Sequence, residues 1–104
     1  MNGQSVGYLV VNARYANSAV PINNAYVTVE SGDDFFSQSF TVSEGGKTER
    51  IALPINTYTV SVFAEGFLGK TFYDIGVNDL TDMLIDAQLF PSYDNADREV
   101  QNEQ

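Results

Sequence analysis

The sequence predicts an all-β fold, a seven-stranded antiparallel Greek-key β-sandwich, and three observations carry that expectation. Apolar residues recur at every second position through most of the chain, the period of a strand with one covered face. Turn-forming residues interrupt this alternation at short intervals, at Ser31-Gly32-Asp33-Asp34, Ser43-Glu44-Gly45-Gly46-Lys47, Pro54 and Gly66. Only one segment, near the end of the chain, has helical spacing as an alternative. Two antiparallel sheets packed face to face bury one side of every such strand.

Val6 to Tyr15 reads as the first strand, with Leu9, Val11 and Ala13 on one face and Tyr8, Val10 and Asn12 on the other. The polar link Ala16 to Asn24, which contains Pro21, is long for a hairpin and suggests a crossing from one sheet to the other. Ala25 to Glu30 follows, with Ala25, Val27 and Val29 inward and Tyr26, Thr28 and Glu30 outward. Phe35 to Val42 is the third strand. Its expected phase puts Phe36, Phe40 and Val42 inward and buries Gln38. The paired glycines at 45 and 46 suggest a hairpin loop into Thr48 to Leu53, where Ile51 and Leu53 point inward.

Leu53-Pro54 ends that strand, since proline cannot donate to a ladder. The strand after it is the clearest in the chain, with Tyr58, Val60, Val62 and Ala64 on one face and Thr57, Thr59, Ser61, Phe63 and Glu65 on the other. Gly66 turns the chain into Lys70 to Val77, where Thr71, Tyr73, Ile75 and Val77 share a side. In the last element, Leu80, Met83, Leu84 and Ala87 fall at helical spacing, while Met83, Ile85, Ala87 and Leu89 alternate as in a strand. The lack of any other helical segment favours a strand from about Met83 to Phe90, ended by Pro91. Residues 1–91 thus form a single domain, and 92–104 read as an acidic, disordered tail.

Composition restricts the chemistry. A chain of 104 residues with 43% hydrophobic residues is long enough for one core without cross-links. With no cysteine there are no disulfides, thiol nucleophiles or thiolate metal sites. With no histidine there is no Ser-His or Cys-His pair and no His-ligated zinc. A formal net charge of −9 with five scattered Lys and Arg residues argues against nucleic acid and anionic lipid as partners. No apolar run approaches the ~18 residues that would suggest membrane insertion. The N-terminal MNGQSV lacks the charged and apolar regions of an export signal.

With the strands placed, the chain resembles the transthyretin-like β-sandwiches of the carboxypeptidase regulatory-like type, related in architecture to Ig-like folds and to the Cna B-type domains of bacterial surface proteins. The resemblance rests on Leu9, Val11 and Ala13, on Pro21-Ile22 with Ala25, Val27 and Val29, on Gly46 to Pro54, and on Tyr58-Thr59-Val60-Ser61-Val62 through Gly66-Phe67. It covers most of residues 6 to 90. It implies a non-catalytic accessory or adhesive module beside another domain, in an extracytoplasmic or cell-surface setting. Cna B-type domains often carry an internal amide crosslink from a lysine in the first strand. Here that strand offers Arg14 and no lysine, so the crosslink is not carried over. Related hydroxyisourate hydrolases use histidines and a C-terminal Tyr-Arg-Gly-Ser, and this chain has neither.

Asp33 and Asp34 in one loop and Asp79 and Asp82 in another are weak candidates for a calcium site, because such loops supply carboxylate and carbonyl oxygens. Aspartate is also common in turns because it caps local N–H groups, and no metal or other cofactor is expected. Paired carboxylates and a Ser-Lys dyad with Lys47 or Lys70 lack the surrounding motif of an active site. The outward aromatics Tyr8, Tyr26, Phe35, Phe63 and Phe72, together with Tyr15, suggest an interface with a protein partner, a neighbouring domain or a second copy through a sheet face. The expected function is therefore a non-enzymatic structural or protein-interaction module of a bacterial surface, secreted, spore or phage assembly. The alternative is a carbohydrate- or calcium-dependent binding module.

Overall fold

Seven strands account for the ordered architecture in a computed structural model that describes residues 5–33, 36–42 and 44–92. They are β1 (Val6–Tyr15), β2 (Tyr26–Ser31), β3 (Ser37–Thr41), β4 (Ile51–Pro54), β5 (Asn56–Phe63), β6 (Lys70–Val77) and β7 (Met83–Leu89). A three-stranded sheet in the order β4-β1-β7 packs on a four-stranded sheet in the order β3-β2-β5-β6. Their inner faces meet in one core built on Leu9, Val11 and Ala13 from β1, Val27 and Val29 from β2, Tyr58, Val60 and Val62 from β5, and Ile85, Ala87 and Leu89 from β7. The two-residue period of β1, β2 and β5 therefore does what its chemistry requires, moving a row of branched side chains out of water on one face only.

The chain changes sheets after β1, β3, β4 and β6. The long polar link between β1 and β2 is one of these crossings, as its length suggested. The connection after β3 is another, which corrects the hairpin expected at Gly45-Gly46. β3 pairs with β2, and β4 pairs with β1, so the two glycines turn the chain between layers. Both have positive φ, 86° at Gly45 and 75° at Gly46. At Gly46 a Cβ would also sit 2.6 Å from the Ala13 carbonyl oxygen and 2.8 Å from the Pro21 side chain. Gly46→Ala is therefore expected to lose about 1–3 kcal/mol, read as a lowered urea midpoint at unchanged slope.

Three further expectations need correcting. Gln38 is exposed although Phe40 on the same face packs on the core, because β3 is an edge strand with a neighbour on one side. In β6, Phe72 faces Val60 and Ile75 faces Tyr58, so Tyr73 and Asp74 together stand opposite Thr59. This bulge, with Asp74 at φ 59°, resets the alternation: Phe72 packs against the core and Tyr73 points to solvent at 70% exposure. Finally, β7 is a strand as expected, but it runs parallel to β1, in register from Leu9↔Met83 to Tyr15↔Leu89. Every other pair is antiparallel.

Thr48 lies outside the β4 ladder, yet it is buried. Its hydroxyl accepts a hydrogen bond from the Val11 N–H at 3.0 Å, and its own N–H donates to the Val11 carbonyl at 2.9 Å. The side chain thus continues the pairing of β1 where β4 has stopped. At the far end of the molecule, Phe67 bridges Pro91, and the Ser92 N–H donates to the Gly66 carbonyl at 2.8 Å. The rest of the tail expected over 92–104 lies outside the described residues, as do Asp34 and Phe35.

Candidate interaction surface

On the outer face of the larger sheet, Tyr26 of β2 lies directly opposite Phe63 of β5. They are 57% and 48% exposed. The Phe63 ring lies over Gly69, where a Cβ would come within 2.8 Å of the ring carbon Cδ1. A glycine opposite an aromatic lets the ring lie flat across the neighbouring backbone. Beside this pair runs a row of hydroxyls, Ser39, Thr28, Ser61 and Thr71, one from each strand of the sheet. The outer two gaps are closed by contacts of 3.4 Å between Thr28 and Ser39 and 3.2 Å between Ser61 and Thr71.

Next to Tyr26 the loops at that end form a cleft of about 460 Å³, lined by Ile22, Asn23, Asn24, Tyr26, Ala64, Glu65 and Phe67. Asn24 at φ 68° and Gly66 at φ 87° make the two turns that shape it. Phe67 also meets Tyr15 edge to face at a centroid distance of 5.0 Å. Val20, Leu68 and Phe90, each about half exposed, lie in the segments that flank the strands at this same end of the sandwich. Phe67 and Leu68 are the aromatic and apolar residues of this surface that strand periodicity does not reveal, because they lie in the connection between β5 and β6; Phe90, expected at the end of the last strand, directly follows β7.

Tyr8 and Phe72 fall elsewhere. Tyr8 is on the outer face of the smaller sheet, with the Arg50 guanidinium 3.9 Å above its ring centroid. Phe72 packs against the core. Among the described members of the predicted set, Tyr26 and Phe63 are the pair that face each other across neighbouring strands, and Tyr15 reaches the same end of the sandwich through Phe67.

The described acidic candidates lie in two places, Asp33 in the turn after β2 and Asp79 with Asp82 in the link before β7. Asp82 takes two hydrogen bonds from Arg50, at 2.9 and 3.1 Å, and the pairing raises the Arg50 pKa. Asp33 accepts from the Ser31 hydroxyl at 2.5 Å. Asp79 lines a small cleft with Gly7, Asn78 and Asp82, where Asn78 caps the turn by accepting from the N–H groups of Leu80 and Thr81. Among the described residues, no three acids gather closely enough to hold a metal ion.

A second ion pair lies across β1 and β7. Arg14 contacts both oxygens of Asp86 at 2.8 Å, and this hydrogen bonding holds the Asp86 carboxyl below its ordinary value. A carboxyl depressed in the folded state stabilises the fold above its unfolded pKa, and that contribution is lost as pH falls through the folded value. Asp86→Asn is accordingly expected to flatten the acid limb of a stability–pH profile. The effect should stay under ~1 kcal/mol, because the pair is exposed and screened by salt.

No protein-family model matches the chain, and no curated protein does. Among solved structures, the chain is similar to the Bacillus anthracis TIE protein, with a TM-score of 0.67 and 21% sequence identity. The match covers 84% of this chain and 17% of that one. At this identity the likeness shows a shared β-sandwich fold and nothing finer, and this chain corresponds to a small part of the longer protein.

Proposed function

We propose that the chain is a non-catalytic structural module of the transthyretin-like, carboxypeptidase regulatory-like kind, working in a bacterial surface, secreted, spore or phage assembly. It meets a neighbouring protein surface, either a second copy or an adjoining domain, through the Tyr26–Phe63 end of its larger sheet. The single observation that carries this reading is the exposed aromatic pair beside the loop cleft. Two large rings at a surface bury much area when another protein covers them, and each has few side-chain rotations to lose. The fold shared with one part of a much longer chain is in keeping with a module. Ion-paired Arg14 and Arg50 offer little to a phosphate backbone.

Sedimentation velocity over a wide concentration range tests the interface. Association that disappears in the Tyr26→Ser, Phe63→Ser double variant supports it. The same substitutions in a longer chain carrying an adjoining domain should loosen the docking of the two. A strict monomer whose adjoining domain is equally indifferent to the change removes this reading.

The cleft favours one second reading. Asn23, Asn24 and Glu65 beside Tyr26 and Phe67 combine amide and carboxylate groups with aromatic walls, a combination suited to a neutral sugar. A rise in melting temperature with a glycan panel would favour it, since a ligand that binds only the folded state must stabilise it.

A further inference from the structure

The first and last strands of the sandwich are neighbours and run in the same direction. Seven consecutive residue pairs join them, from Leu9↔Met83 to Tyr15↔Leu89. The pairing continues past the end of the strands, where the Ala16 N–H donates to the Leu89 carbonyl at 3.0 Å and the Asn17 N–H to Gln88 Oε1 at 3.1 Å. Arg14 grips Asp86 across the same two strands, and the Asn12 amide donates to Asp86 Oδ1 at 3.3 Å.

The opposite edge of β1 is occupied too. β4 pairs with Val6 to Leu9, and Thr48 bonds to Val11 through side chain and backbone. Beyond that, the Ile22 N–H donates to the Ala13 carbonyl and the Tyr15 N–H to the Val20 carbonyl, both at 2.9 Å.

Parallel pairing places the entry into β1 and the exit from β7 at opposite ends of this ladder. A pull on the two flanks draws β1 towards its N-terminal end and β7 towards its C-terminal end, so the strands must slide past one another. Every cross-strand bond is then strained at once. A hairpin pulled apart at its open end yields one bond at a time. We propose that the β1–β7 ladder, pinned by Arg14 and Asp86, is a mechanical clamp that keeps the domain folded while tension passes along the chain. This rests on reading the chain as a structural module of an assembly, but the clamp itself is a property of the isolated domain.

Single-molecule pulling on the full 104-residue chain tests it. In one geometry, handle domains are fused at the two termini. In the other, handles are attached through Thr57→Cys and Gly76→Cys, in a chain with no native cysteine. Thr57 and Gly76 are exposed partners near the open end of the β5–β6 hairpin, and a Cβ at Gly76 meets nothing within 4 Å. Forced unfolding reports the barrier along the pulled direction.

The clamp requires a severalfold higher unfolding force through the termini than through Thr57 and Gly76. It also requires that Asp86→Asn lower the first force and leave the second unchanged. Equal forces in the two geometries would overturn the proposal. An Asp86→Asn chain that loses force equally in both would remove the ion pair from the clamp. Neither result touches the partner contact at Tyr26 and Phe63, which sedimentation decides separately.

Discussion

Tyr58→Ala is expected to cost about 3–5 kcal/mol of folding stability, the range for deleting a large buried ring. Tyr58 is the largest fully buried side chain among the described residues, at 1% exposure, and it sits where three neighbours meet. Its Cα partners are Ser31 of β2 and Ile75 of β6, and its ring meets Phe36 edge to face at 5.9 Å. Its hydroxyl donates to the Pro54 carbonyl at 2.5 Å, which ties the start of β5 to the end of β4 across the one-residue link at Ile55. Removing the ring therefore opens a void beside the crossover between the sheets. The measurement is a urea midpoint, and a loss below ~1 kcal/mol would mean that the layers close over the gap.

Tyr58→Phe separates the ring from its hydroxyl. It should cost only ~0.5–1.5 kcal/mol, the net worth of one hydrogen bond. It should also change the alkaline limb. Burial, with Asp33 adding to it, raises the Tyr58 pKa above its usual 10.0. A group raised on folding gives stability that is fully present below its unfolded pKa and is lost as pH rises through the folded value. Alkaline unfolding should therefore be shallower in Tyr58→Phe than in the parent.

How much of this arrangement can be read from sequence depends on what a two-residue period encodes. In β1, β2 and β5 the buried row is unbroken, so each face follows from one phase, and Leu9, Val27 and Val60 are all inaccessible. Periodicity fails where the backbone slips. The extra residue at Tyr73–Asp74 changes the phase partway along β6, so a single alternation drawn from Thr71 to Val77 puts Phe72 on the wrong side. It also says nothing of partners. Gly45 and Gly46 announce a turn, but whether the next strand joins the same sheet is decided by where Val11 and Ile51 find cover. The parallel pairing of β1 and β7 is silent for the same reason. The aromatic surface was half legible: Tyr26 and Phe63 showed as outward residues, while Phe67 and Leu68 lie in a connection that has no period to read.

The last strand offers the sharpest single comparison, because its sequence fits two structures that bury different residues. As a helix it would turn Leu80, Met83, Leu84 and Ala87 to the core; as a strand it buries Ile85, Ala87 and Leu89. Adjacent residues then carry opposite expectations. Ile85 is 4% exposed and Leu84 is 63% exposed on the outer face. Ile85→Ala is expected to lose about 2–5 kcal/mol, through lost burial and the cavity left behind. Leu84→Ala should stay within about 0.5 kcal/mol, as a surface change does. The two substitutions remove similar apolar side chains one position apart, so helix propensity and composition cannot explain a large difference between them. Urea midpoints for both, measured side by side, give the face directly. A reversed order would place Leu84 in the core and remove the β1–β7 pairing, and with it the mechanical clamp.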